Sequence, residues 1–501
     1  MLKGKSNMHL ESFWKKQNKK QIKAEKEQEV ISNYIAENND NVIISEGTEK
    51  IFPNQFYNIY DIKNIVMSDS VKKIGYNAFF NCRNLKKITL SKNLEEIDYR
   101  AFNGCRALEE IVFPNSVKLM GKSLCKNCNN LKNVILPENL EEIPDEMFKD
   151  CKSLEEISLP GNIRTLGFNA FSGCSRLKKI VIPEGVEEIR EYAFDRCVNL
   201  SEIILPKSLR KISKYAFGGC INLTKITLPE KISEIENYVF NGCSSLEEII
   251  CKGDVSRIGV AACKDCVKLK KISGNVIFNL LSESSFESCR ELENISLGDL
   301  THLPSRCFYN CSSLKDIYFS EKIKDIGAMA LYGCGSITGE VKLPNILSIG
   351  DGNFSQCKSI DKITFGENLY EIGENLFIEM GNPTEIVMPN KKIAYNIIIN
   401  LKAFDFLFAR EEIINTEGIV SFNLEENYDK AKKRLLLILK NSKNTIFSIS
   451  DKYIDENIIK LLNNNFDDSQ SRAYIAELSK LISKPHSNKI SSKFSLDFDE
   501  I

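Results

Sequence analysis

The chain has 501 residues, a formal net charge of −1, 43% hydrophobic residues and 17 cysteines. So even a balance gives no bulk attraction to a polyanion, which argues against nucleic acid as the main partner. No run of about 18 apolar residues is present, so no membrane-spanning helix is expected.

Residues 1–40 read as a helical, charge-rich entry. Lys15, Lys16, Lys19, Lys20, Lys23 and Lys26 make its first half basic. Leu10, Phe13 and Trp14 form one small apolar patch, and Val30, Ile31, Tyr34 and Ile35 form another. One reading is a linker and cap over the first turn of the region that follows. The other is docking to a partner or an anionic surface. The segment has charges but no apolar core of a leader, so no secretory signal is expected there.

From 41 to 390 one pattern recurs at a fixed spacing, the one that separates Cys82, Cys105, Cys128, Cys151 and Cys174. Its anchor is Cys-x-x-Leu-x-x-Ile-x-Leu-Pro, seen at Cys151, Leu154, Ile157, Leu159 and Pro160. A fixed period of this size marks a solenoid, because no single unit can bury its own apolar side. Alternation at Ile157 and Leu159 predicts a short strand, which Pro160 ends because it lacks an N–H. Turn formers follow (Asn93, Asn139, Asn162, Gly185, Ser208), then a second inward pair such as Ile163 and Leu166, then Ala170 and Phe171 before Cys174. The stretch "LGFNAFSGCSRLKKIVIPEGVEEI" resembles the BspA-like, or Treponema-pallidum-type, leucine-rich repeat. The resemblance implies a curved stack of parallel strands with a sheet on its concave side, and binding, often adhesion, in place of catalysis. Surface members of that family usually carry an export signal, and this chain departs from that pattern.

Two worn repeats without the cysteine open the region between 42 and 80. Beyond them, charges alternate from one coil to the next. After the leucine they run Lys86-Lys87, Glu109-Glu110, Lys132-Asn133, Glu155-Glu156, Lys178-Lys179; after the second apolar position they run Glu95-Glu96, Lys118-Leu119, Glu141-Glu142, Arg164-Thr165, Glu187-Glu188, Arg210-Lys211. Each charge is therefore expected to face its opposite in the next coil, which favours this register over a slip by one coil. Thirteen of the cysteines fall in one column and all point the same way, so a ladder of free, buried thiols is expected. Reduced thiols fit an intracellular, cytoplasmic location.

Between Cys251 and about Asn345 the repeat loses prolines, phenylalanines and spacing, and the step from Cys289 to Cys311 is one position short. Either the repeat has simply drifted here, or these irregular coils carry binding loops that depart from the scaffold. After Pro389 the period is expected to stop. Helical patterns are expected over 392–413, 425–441, 453–464 and 468–482, as a C-terminal helical region or cap (391–483), followed by a polar tail (484–501).

Catalytic chemistry finds little support. His9, His302 and His486 lie in three separate regions, and a histidine base must sit within hydrogen-bond reach of its nucleophile. The two C-x-x-C matches, Cys125–Cys128 and Cys263–Cys266, lie six coils apart and cannot share a zinc; Cys125 and Cys263 stand where other repeats have phenylalanine, as core replacements. Gly173, Gly219 and Gly242 belong to the turn before the cysteine, and no phosphate-cradling loop is present. No cofactor or metal is expected.

What remains is the strand residue that points away from the core. That column contains Val112, Ile135, Val181, Ile204, Ile250 and Tyr318, interspersed with Thr89, Ser158, Thr227, Ser273 and Ser296. Either β-branched residues there serve only strand formation, or the column is an apolar stripe that meets another protein. The expected function is non-enzymatic protein recognition on a solenoid scaffold with helical terminal regions. A leaderless cell-surface adhesin is the alternative, and an enzyme in the C-terminal helices is a third.

Overall fold

The computed structural model describes residues 40–381, apart from positions 318, 367, 370 and 374, and the backbone of five short strands beyond them. The N-terminal segment expected to cap the first coil, the helices expected over 425–441, 453–464 and 468–482, and the tail from 484 lie outside the described residues. The chain divides into two compact units, one reaching Ile232 and including Val239–Leu246, the other comprising Ser233–Tyr238 and the residues from Glu247 on.

In the first unit most coils contribute two short strands, each parallel to its equivalent in the next coil; the coil at Cys151 is an exception, since the strand expected at Ile157 and Leu159 does not form and only its second strand, Thr165–Leu166, is present. The first strands Asn41–Ile44, Asn64–Met67, Lys87–Thr89, Glu110–Val112 and Asn133–Ile135 form a five-stranded sheet. Lys179–Val181 and Glu202–Ile204 form a further pair. The two-residue second strands stack likewise, for example Glu142–Ile143, Thr165–Leu166, Glu188–Ile189 and Lys211–Ile212. Register is that of the sequence period: Ile65 faces Ile88, Ile111 faces Val134 and Ile180 faces Ile203.

The local chemistry explains each bend. The carbonyls of Pro114, Pro137 and Pro160 accept from the N–H of Val117, Leu140 and Ile163, which closes the turn and swings the second apolar residue inward. Before the cysteine the chain turns again, with left-handed residues at Gly173 (φ +74) and Arg196 (φ 55). Phenylalanines of successive coils stack with ring centroids 5.4 Å apart for Phe171–Phe194 and 5.5 Å for Phe194–Phe217. Each such side chain, fully buried, stabilises the fold by about 1.5–3 kcal/mol.

The cysteine column has its own bonding. Each thiol donates to the carbonyl of a residue one coil back: Cys105 to Phe79, Cys174 to Phe148 and Cys197 to Phe171, all at 3.1 Å. All 17 cysteines are free and buried, so the expected ladder is present. A cysteine here fills a small apolar space and gives a second donor to a carbonyl that already accepts the N–H of its own coil's cysteine, as Phe79 does from Cys82 and Phe148 from Cys151.

The second unit keeps the plan less strictly. Glu248–Ile258 and Lys271–Leu281 are continuous 11-residue strands that pair with each other, absorbing the turn between first and second strand. The later coils resume short strands, with His302–Leu303, Asp325–Ile326, Ser348–Ile349 and Glu371–Ile372 in one ladder. Pairing does not end at Pro389 as expected. Ile398–Ile399 continues that ladder opposite Glu371–Ile372, and Ile414–Asn415 pairs with Ile386 and Val387 across a coil longer than the regular period. Strand thus replaces helix at the described residues of 392–413. The run Ile397-Ile398-Ile399 accounts for it, since consecutive β-branched residues favour extended backbone.

Candidate interaction surface

In the first unit, the residue after each inward isoleucine of the first strand faces solvent. Ile43 lies beside Val66, Val66 beside Thr89, Val112 beside Ile135, and Val181 beside Ile204. The apolar members Ile43, Val66, Val112, Ile135, Val181 and Ile204 keep 46–59% of their surface exposed. Strand alternation forces this: Ile65, Ile88, Ile111 and Ile180 take the core side, so their neighbours cannot. Of the predicted residues, Val112 and Ile135 are exposed side by side on the five-stranded sheet, and Val181 and Ile204 on the separate two-stranded one. Ile43 and Val66 extend the five-stranded group and were missed because their repeats lack the cysteine that marks the register; the alternation in Asn41–Ile44 and Asn64–Met67 was the available signal. Ile250 belongs to the second unit, half-buried in the long strand opposite Ser273. Tyr318 lies outside the described residues.

Several charges beside this column, and one pair beside the second strands, Lys118 and Glu95, are paired across coils. Lys87 reaches Glu110 at 3.2 Å, Lys178 reaches Glu155 at 2.7 Å, Lys179 reaches Glu202 at 2.7 Å, and Lys118 reaches Glu95 at 2.9 Å. The hydrogen bond and charge of Lys178 hold the Glu155 carboxyl below its usual range, and Lys118 does the same to Glu95. The predicted facing of opposite charges is realised as ion pairs at these positions and at Lys211–Glu188. Solvent-exposed pairs of this kind contribute little to stability, so their consequence is specificity of register more than strength. They also leave the apolar column as the feature of this face that a partner can cover to advantage.

The candidate groups for chemistry named from the sequence lie as follows among the described residues. His302 is exposed on a second strand. Cys125 and Cys128 are fully buried, as are Cys263 and Cys266. The carbonyls of Cys125 and Cys263 accept the thiols of Cys151 and Cys289, as phenylalanine carbonyls do in other coils. Burial raises the Cys82 thiol from 9.0 to about 12, so it stays protonated and poorly nucleophilic near neutrality. Among the described residues no group of three or more histidine, cysteine, aspartate or glutamate side chains is arranged to hold a metal ion. No helix among them is long and apolar enough to cross a membrane.

Stacked parallel coils with leucine, isoleucine, phenylalanine and cysteine columns define a leucine-rich-repeat solenoid. A family model described as the BspA type leucine-rich repeat region, in six copies, matches residues 49–178, 165–293 and 279–405; the chain belongs to that family. The fold and family are those of scaffolds that are typically non-enzymatic. A solved leucine-rich repeat protein from Bacteroides ovatus is 30% identical with a TM-score of 0.56, covering 70% of this chain and 87% of its own. A leucine-rich cell surface protein from Faecalibacterium prausnitzii is 23% identical with a TM-score of 0.39, covering 66% of this chain and 92% of its own. The leucine-rich repeat protein of T. pallidum is 28% identical with a TM-score of 0.29, covering 36% of this chain and 77% of its own. No curated protein matches the chain.

Proposed function

We propose that the protein is a non-enzymatic scaffold that recognises another protein through the outward face of its first-strand sheet. The observation that carries this reading is the exposed column of Ile43, Val66, Val112 and Ile135 on one five-stranded sheet. Each of these side chains is about half exposed, and covering one is worth about 1 kcal/mol. Four on one sheet give a partner an apolar strip with self-paired charges beside it. Val112→Asp combined with Ile135→Asp should abolish capture of the partner from a lysate of the source cells while leaving the melting temperature within a few degrees of wild type. Undiminished capture by that variant would reduce the column to strand-forming chemistry.

The same reading has the protein working inside the cell. Seventeen free cysteines, all buried, support this, since an oxidising compartment favours disulfides in small cysteine-rich coils. Protease treatment of intact source cells should leave the chain undigested until lysis. Its loss from intact cells would make a surface adhesin the better reading.

A further inference from the structure

In the second unit, pairing between neighbouring coils breaks at the long strand Lys271–Leu281. Glu248–Ile258 pairs with one edge of it; among the described residues no strand pairs with the other. The reason lies in the coil that follows. It keeps only Asn294–Ile295 as a first strand, then turns at Gly298 (φ +53). It is also the coil that is one position short, since its Asn294 faces Asp316 where the regular spacing would bring Ile317. A strand as long as Lys271–Leu281 cannot be covered by a neighbour that turns away so soon.

A cleft of about 750 Å3 opens at this mismatch. Alternate residues of the long strand line one side, among them Ile272, Val276 and Phe278, and Ile295, Leu297 and Phe319 line the other. Among the described residues no charged side chain lines it. Phe278 of the long strand meets Phe286 at a tilt of 58°, whereas Phe286 stacks on Phe308 in the regular way. The volume is that of an ordinary ligand site with apolar walls and a few polar groups.

We propose that this cleft is a peptide-binding site, in which an extended segment of a partner protein adds its main chain to the free edge at 273–280 and seats an uncharged apolar side chain in the cleft. Two observations point to the same occupant. A row of main-chain donors and acceptors along a strand edge is matched residue by residue only by another extended chain. The neutral, largely apolar cleft at that edge takes a side chain projecting from such a strand, and alternate residues of the added strand would face it. The site uses none of the residues of the first unit's column and does not depend on it.

The test uses the full chain and a phage-displayed library of random nine-residue peptides. The strongest recovered peptide is then made synthetically, with and without N-methylation at alternate residues. Recovered peptides should alternate apolar and polar residues, and binding should slow amide hydrogen exchange at 273–280. N-methylation should weaken binding by at least about tenfold, the loss of roughly one or two hydrogen bonds. Ser296→Trp and Ser320→Trp, which fill the cleft from two different coils, should weaken the unmodified peptide as much. Failure to enrich any peptide, binding without exchange protection at 273–280, or equal affinity of the N-methylated peptide would each overturn the proposal. A peptide held only by an apolar side chain in the cleft would give the last of these results, and because exchange and N-methylation are read on the wild-type chain, the decision stands even if both tryptophan variants misfold.

Discussion

Gly173 shows how a single backbone angle holds the turn before each cysteine. Its φ is +74, and a Cβ there would lie 2.5 Å from Asp150 Oδ1. Gly173→Ala should lower stability by about 1–2 kcal/mol. Arg196 occupies the equivalent turn position at φ 55 with a side chain that dislikes it, so Arg196→Gly should raise stability by up to about 1 kcal/mol. Denaturant titration of both variants reads the two signs directly. The thiols make a separate prediction. Burial lifts Cys82 to about 12 from 9.0, and lifts Cys105, Cys197 and Cys220 well above 9.0. In the unfolded chain they ionise at their ordinary value, so between about pH 9 and 12 the unfolded state binds fewer protons than the native one, and stability falls as pH rises through that window. Below pH 9 both states are protonated and this contribution is flat. Melting temperatures measured from pH 7 to 11 should hold and then decline, with thiol reagents reacting only after unfolding.

Strand by strand, the alternating charges act as a check on register. Lys87 lies between the first strands of neighbouring coils and pairs forward with Glu110. Lys87→Glu should destabilise the sheet by about 0.2–1 kcal/mol, and adding Glu110→Lys should restore most of it, as a double-mutant cycle would show. This feature was legible in the sequence because period and charge column coincide. So were the thiol ladder and the replacement of phenylalanine by Cys125, both read from the cysteine spacing. The long strand Lys271–Leu281 was not. Its sequence, with Gly274 and Asn275 in the middle, looks like a worn turn, and only its pairing with Glu248–Ile258 reveals a strand. Ile398–Ile399 was misread because an isoleucine-rich stretch satisfies helical spacing as easily as strand burial, and periodicity alone does not separate them.

Across the molecule, each coil of the first unit is interchangeable in its apolar columns but not in its charges. Ile97, Ile143, Ile189 and Ile212 fill the same buried slot, so the core is indifferent to how many coils are stacked. The outward charges alternate with a period of two coils: Glu95, Lys118, Glu141, Arg164, Glu187, Arg210. A gene that gained one coil by unequal recombination would therefore bring like charges face to face at the new junction, whereas gain of two would leave every junction as it was. Lengthening or shortening of this unit by copy number should accordingly be tolerated in pairs of coils, so that the hereditary unit of change is twice the structural one.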